Sequence, residues 1–192
     1  MNTLKAEKRS MDIKAKKLRR EGFVTGNVFG REMKESVPVK MDKAEVDHLL
    51  KKSNKGSQIM LDIGGKLYNV LIKDIEYNPL KGQVDEIDFQ ALVSDEKVHS
   101  VAEVVLLNHD KVLSGVLQLQ LEEIAFKAYP SALVDRVEID AGTLSIGQSV
   151  KVKDLAIAKN KEIDLITDPE ATVVTLSEVH NAAAEEDSEA EE

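Results

Sequence analysis

The stretch QIMLDIGGKLYNVLIKDIEYNPLKGQVDEIDFQAL (58–92) decides the fold. Ile59, Leu61 and Ile63 alternate with Met60 and Asp62. An apolar, β-branched run resumes over Lys66–Tyr77, and another spans Val84–Leu92. Period two places successive side chains on opposite faces of a pleated strand, so such runs predict strands. Gly64-Gly65 between two of them marks a hairpin, because tight hairpin turns need the positive φ that glycine tolerates. Asn78-Pro79-Leu80-Lys81-Gly82 supplies the next turn.

Working upstream, Val37–Met41 reads as a further strand before Asn54-Lys55-Gly56 breaks the chain. Between them Asp42 can cap a helix, Glu45 stands three residues later, and Val46, Leu49 and Leu50 give i, i+3, i+4 spacing before Lys51-Lys52. That helix is expected at about 43–52. Near the start, Met11, Ala15 and Leu18 form one stripe at i, i+4, i+7 and Gly22 supplies a stop, so a short helix is expected over Met11–Glu21. Lys16, Arg19 and Arg20 cover the face opposite the stripe, with Lys14 and Lys17 on its flanks.

Downstream of Ser94 helical periodicity disappears. Seven strands are expected: Val101–Leu107, Gly115–Gln120, Glu123–Ala128, Leu133–Ile139, Ser149–Val152, Glu162–Ile166 and Thr172–Leu176. Pro130, Ala141-Gly142, Gly147 and Asp168-Pro169 punctuate them at the spacing of a sandwich or barrel. The fold class is therefore mainly β. The chain closes on AAAEEDSEAEE (182–192), six acids in eleven residues without a core former, which predicts a disordered tail.

The 192 residues allow one large domain or two small ones. No apolar run approaches the ~18 residues of a membrane span, and the N-terminus Met1-Asn2-Thr3-Leu4-Lys5 lacks a secretory h-region. The chain is thus expected to be soluble and cytoplasmic. Without cysteine it has no disulfide, thiolate nucleophile or cysteine-bound zinc. With 4% aromatics and no Trp it has little material for a base-stacking platform.

The net charge of −9 hides a division. Residues 1–92 carry 18 Lys+Arg against 14 Asp+Glu, and residues 93–192 carry 8 against 21. A basic end feeding an acidic body can dock on a polyanion by one face only. Catalytic signatures are absent: there is no HExxH, GxSxG, GxxxxGK[ST] or GxGxxG, and His48, His99, His109 and His180 have no metal-binding spacing. Asp85, Glu86 and Asp88 could be imagined around a hard cation, but carboxylates at a strand entrance are more often solvated. No enzyme, metal or cofactor is expected.

A charged helical face is usually solvated surface. In KAKKLRREG (14–22), however, like charges at i, i+3 and i+4 stand nearly unopposed, which costs a few tenths of a kcal/mol per pair and is relieved by an anion. Arginine at 19 and 20 also suits bidentate phosphate recognition.

Three segments in register, KAKKLRREGFVTGNVFG (14–30), IKDIEYNPLKGQVDEIDF (72–89) and VEIDAGTLSIGQSVKVKDL (137–155), resemble the bacterial large-subunit ribosomal protein L-twenty-five in its long two-domain form, the general stress protein CTC. The resemblance covers nearly the whole chain apart from the acidic tail. It implies a six-stranded β-barrel-like N-terminal domain with two or three helices over residues 1–92, which binds 5S rRNA in the large ribosomal subunit. It also implies an all-β C-terminal domain over 93–180 that leans on the ribosome, and no catalysis; composition alone sets off the disordered acidic tail over 181–192.

Carried over by position, the family's RNA-contacting stretch falls on Lys14, Lys16, Lys17, Arg19 and Arg20, with Arg9 upstream and the strand ending in Phe29-Gly30 beside it. Lys73, Glu76, Asn78, Glu86 and Asp88 fall on its second RNA-facing surface. The family usually has Tyr at Phe29, Gln at Glu76, His at Asn78 and at Glu86, and Pro-Ala at Thr25-Gly26. Glu76 and Glu86 therefore put carboxylates where phosphates or base edges would lie. The acidic second domain should face solvent or lie against a basic ribosomal protein. The competing reading is a ribosome-independent, stress-related protein-binding module that kept the fold and weakened the RNA site. Glu76 and Glu86 favour that reading, and the intact KAKKLRR favours RNA.

Overall fold

In the computed structural model residues 2–112 and 115–178 are described, so the acidic segment 181–192 and His180 lie outside them. Strands β1 (Thr3–Lys8), β2 (Phe23–Phe29), β3 (Val37–Asp42), β4 (Gln58–Ile63), β5 (Lys66–Asn78) and β6 (Gln83–Ala91) close into a barrel of order β1-β3-β2-β6-β5-β4. Four pairings are antiparallel. The barrel closes through two parallel ones, β1 with β4 and β2 with β6. Leu4, Val28, Val39, Ile59, Leu61 and Phe89 fill the interior. A Cβ at Gly26 would fall on the Ile87 carbonyl oxygen, so the β2–β6 closure depends on the missing side chain.

Helix α2 (Lys43–Leu50) forms as its spacing predicts. The Asp42 carboxylate accepts hydrogen bonds from the Ala44 and Glu45 N–H groups, while Val46 and Leu49 are buried against the barrel. The amphipathic stripe near the start overstates its helix, because α1 spans only Ala15–Arg20. Ser10 Oγ accepts from the Asp12 N–H and donates to the Asp12 carboxylate, and Arg9 Nη2 donates to the Ile13 carbonyl at 3.1 Å. These local bonds hold residues 9–13 in a turn. Met11 is left 74% exposed, and Leu18 is the buried residue of α1. Strand β1 has no counterpart in the sequence reading; its two inward residues, Leu4 and Ala6, are too few to stand out among charged neighbours.

All seven strands expected downstream are present: β7 (Val98–Leu107), β8 (Val116–Leu119), β9 (Glu123–Ala128), β10 (Arg136–Asp140), β11 (Ser149–Lys151), β12 (Ile163–Leu165) and β13 (Thr172–Ser177). They form two sheets, β10-β7-β9-β12 and β11-β13-β8, over one apolar core that includes Ile124, Phe126, Ile139, Val173 and Val174. Two sheets on a shared core make a sandwich rather than a barrel. One short helix, α3 (Ala156–Lys159), interrupts the all-β pattern with Ile157 buried. No helix among the described residues is long and apolar enough to cross a membrane.

The barrel core and the sandwich core share no residue. Between them runs a polar seam. Asn54 donates to the Glu103 carboxylate, Ser57 Oγ to Asp135 at 3.1 Å, and Lys73 Nζ to the His99 carbonyl at 2.8 Å. Gly56 sits at the seam with φ +86°, and a Cβ there would fall on the Val101 carbonyl oxygen.

Candidate nucleic-acid interface

Helix α1 starts without a side-chain cap, and its first turn carries no acid. Lys17, Arg19 and Arg20 lie in its last turn, where cations interact favourably with the C-terminal end of the helix dipole. Leu18 anchors the helix to the barrel. Lys14, Lys16, Lys17 and Arg20 all face solvent. Glu21 approaches Lys17 at 3.9 Å across two exposed side chains, a pair worth little in water.

Arg19 behaves differently. It is half-buried, its Nε donates to the Asp85 carbonyl at 3.1 Å, and its Nη2 lies 3.4 Å from Glu86 Oε2. Nη1 lies 3.7 Å from Asp85 Oδ2. Arg19 therefore fastens α1 to the start of β6. Asp85 is the hub of this contact: Asn78 Nδ2 and Gln83 Nε2 each donate to it at 3.1 Å, and Lys43 Nζ reaches Gln83 at 3.3 Å. Those two amide hydrogen bonds, followed by the Arg19 charge, hold the Asp85 carboxyl below its usual range.

Beside the helix lies the outer face of β2, β6 and β5. Across it Thr25 stands opposite Glu86, Asn27 opposite Asp88 and Phe29 opposite Gln90. On the other side of β6, Glu76 stands opposite Glu86 and Asp74 opposite Asp88. Two like-charge pairs facing each other across neighbouring strands are mutually destabilising. Burial first, then the Asp88 and Glu76 carboxylates, push the Glu86 carboxyl above its usual range, although Arg19 and Arg9 pull the other way. Asp88 also accepts a hydrogen bond from the Asn27 N–H at 3.3 Å, which ties β2 to β6.

Lys14, Lys16, Lys17, Arg19 and Arg20 share α1 or its cap, and Phe29, Glu76, Glu86 and Asp88 share the sheet face beside it. Arg9 lies in the turn leading to α1, with its Nε buried and unpaired. Asn78 is engaged internally, donating to Asp85 and accepting from the Lys81 N–H at 3.3 Å. Lys73 lies apart from the rest. A bulge between Ile72 and Asp74 removes it from the ladder, and its ammonium group enters the seam, where burial and the nearby Lys55 lower its pKa. The sequence reading weighed Asp85 only as one carboxylate of a cation cluster or as solvated surface; its role as the acceptor of Asn78, Gln83 and Arg19 comes from tertiary contacts. Among the described residues no group of three or more His, Asp or Glu is arranged to hold a metal ion.

Comparison with known proteins adds two matches in tandem. Residues 4–89 match the Ribosomal L25p family, and residues 97–180 match the C-terminal domain of ribosomal protein TL5. Among curated relatives, the large ribosomal subunit protein bL25 of Dictyoglomus thermophilum is 31% identical over 170 residues, covering 84% of this chain and 81% of the relative. That of Burkholderia ambifaria is 31% identical over 171 residues, covering 86% and 84%. That of Bacillus velezensis is 29% identical over 194 residues, covering 98% and 94%.

Proposed function

The chain belongs to the ribosomal L25p family, in the long two-domain form that adds a TL5-type C-terminal domain, and from that premise we propose that it binds 5S rRNA in the large ribosomal subunit through α1. The family is one of structural ribosomal proteins and not of enzymes. Its place on the ribosome gives a cytoplasmic location.

One observation carries the RNA reading: α1 and its N-cap residue hold four solvent-facing cations, Lys14, Lys16, Lys17 and Arg20, in a position fixed by Leu18 and Arg19. RNA helices present dense phosphates and a shallow minor groove, so a rigid row of cations docks by backbone charge and shape. The neighbouring face supports a polar rather than an electrostatic role. Asp74, Glu76, Glu86 and Asp88 would repel phosphates brought against them, so the RNA backbone is expected over α1, with Phe29 at the margin of the contact. Residues 1–92 are proposed as the RNA-binding unit, with 93–180 as a second unit.

The test is a titration of the full chain against transcribed 5S rRNA, with transfer RNA as competitor, at several salt concentrations. Binding that survives competitor and weakens with salt is expected. Equal affinity for both RNAs, or none for either, would refute the reading and leave the ribosome-independent module in its place.

A further inference from the structure

Five carboxylates line β5 and β6 beside α1, and four of them have relief of their own. Asp85 accepts hydrogen bonds from Asn78 and Gln83. Asp88 accepts from the Asn27 N–H at 3.3 Å. Asp74 lies 3.6 Å from the Lys55 ammonium, and Glu76 is exposed to water. Glu86 is the exception. It is half-buried, and its one polar partner among the described residues is the Arg19 guanidinium at 3.4 Å. Asp85 shares that guanidinium through both its carbonyl and its carboxylate.

The elements around Glu86 set a mostly negative field. From β5, Glu76 stands directly opposite it, and Asp74 stands opposite Asp88. On its own strand Asp85 precedes it, and Asp88 follows two residues on, which places it on the same face. Strand β2 brings only the neutral Thr25 and Asn27, and Lys40 beyond it in β3 is drawn to Glu7 at 2.8 Å. Arg19 from α1 and Arg9 from the turn before it oppose the field, while the other cations of α1 face solvent. Burial, then Asp88 and Glu76, already hold the Glu86 carboxyl above its usual range. Lys16 lies one helical turn from Arg19, and Arg20 adjoins it. A phosphate seated on either cation stands on the order of 10 Å from Glu86, one Debye length at 0.1 M salt. Its charge favours the neutral carboxyl, which is also the form that can donate a hydrogen bond.

We propose that docking of an RNA backbone on α1 is coupled to the uptake of one proton from solvent by the Glu86 carboxylate, so that the face beside the helix sheds a charge as phosphates arrive. Coupling between two ligands is reciprocal, and RNA binding therefore tightens as pH falls. The inference rests on the RNA reading of α1 and adds to it a regulated residue.

The test titrates the full chain with transcribed 5S rRNA at pH 5.5, 6.5 and 7.5 and constant ionic strength, for wild type, Glu86→Gln and Glu76→Gln. Wild-type affinity should rise by about threefold or more from pH 7.5 to 5.5, one proton allowing at most about tenfold per pH unit. Glu86→Gln should bind more tightly at pH 7.5 and lose that rise, since titration of histidines and of the RNA is common to both proteins. Glu76→Gln keeps the Glu86 carboxyl and removes the charge facing it, so the rise should persist and move to lower pH. Calorimetry in two buffers of different ionisation enthalpy should show more proton uptake by wild type than by Glu86→Gln. Parallel pH profiles of these two proteins, or equal proton uptake, would overturn the proposal and leave the RNA reading standing. Failure to bind 5S rRNA at every pH would remove the RNA reading and the proposal with it.

Discussion

Arg19 lies 3.4 Å from the Glu86 carboxylate and donates from Nε to the Asp85 carbonyl, so one of the cations of the basic helix is bound to the barrel beneath it. The helix is therefore divided by role. Its outer cations are free for a polyanion, and Arg19 sets where they stand.

Arg19→Ala should lower stability by about 1–2 kcal/mol, because it deletes a charged donor to a backbone carbonyl and leaves Glu86 facing Asp88 and Glu76. A urea titration checks this. The midpoint should fall at unchanged slope, and an unaltered midpoint would mean the contact is not formed in solution.

Lys16→Ala with Lys17→Ala should act on RNA and leave stability alone, since both side chains face solvent. If each neutralises one phosphate, the slope of log K against log salt should flatten by roughly 1.5, taking about 0.7–0.9 per phosphate. An unchanged slope would make α1 a solvated face.

The structure divides what could be read from the chain. Period-two alternation and glycine turns located β4, β5 and β6 and every strand of the sandwich, because burial on one face imprints that period on the sequence. The cap at Asp42 was equally legible. Strand β1 was not, since Leu4 and Ala6 are its only inward residues, and the Ser10–Asp12 turn outweighed a helical stripe that Met11 merely completed by chance of spacing. The basic row was visible as composition. That Arg19 is committed to Asp85 and Glu86, 66 and 67 residues away, and that Lys73 leaves the strand ladder, follow from tertiary contacts that no local pattern encodes.

Glu86→Gln should stabilise the protein at neutral pH by a few tenths to about 1 kcal/mol, by relieving the cross-strand repulsion. The Glu86 pKa is raised in the folded state. Its favourable contribution is therefore complete below the ordinary carboxylate pKa and is lost as pH rises through the folded value. Wild type and variant should converge in acid and diverge toward pH 7 in thermal melts. A variant less stable at pH 7 would show that the Arg19 attraction dominates. Together with Glu76→Gln, the same change should tighten RNA binding.

Glu170 behaves in the opposite sense. Hydrogen bonds from Lys153 at 2.7 Å and Lys151 at 2.9 Å hold its pKa down to about 2. Its contribution is present above the ordinary carboxylate pKa and lost as pH falls through the folded value. Glu170→Gln should therefore be less stable at neutral pH, with the difference closing in strong acid. Parallel melting curves across that range would contradict the pairing.

Gly56→Ala should open the seam. Its φ of +86° disfavours any side chain, and the new Cβ would meet the Val101 carbonyl oxygen. Limited proteolysis should cut faster within Val93–Lys97, while barrel fragments persist. An unaltered digestion pattern would argue that the seam adjusts without cost.

The closure of β1 on β4 and the tie from Arg19 to β6 also set an order of events during synthesis. Leu4 finds its strand partner at Leu61, and Arg19 finds its own at Asp85 and Glu86. At about 5–20 residues per second, roughly 3–13 s separate the translation of Arg19 from that of its anchor. During that interval the growing chain carries its basic segment without the barrel that positions it. A row of cations held in fixed place is thus a property the protein acquires only after β6 has been made and has closed on the barrel.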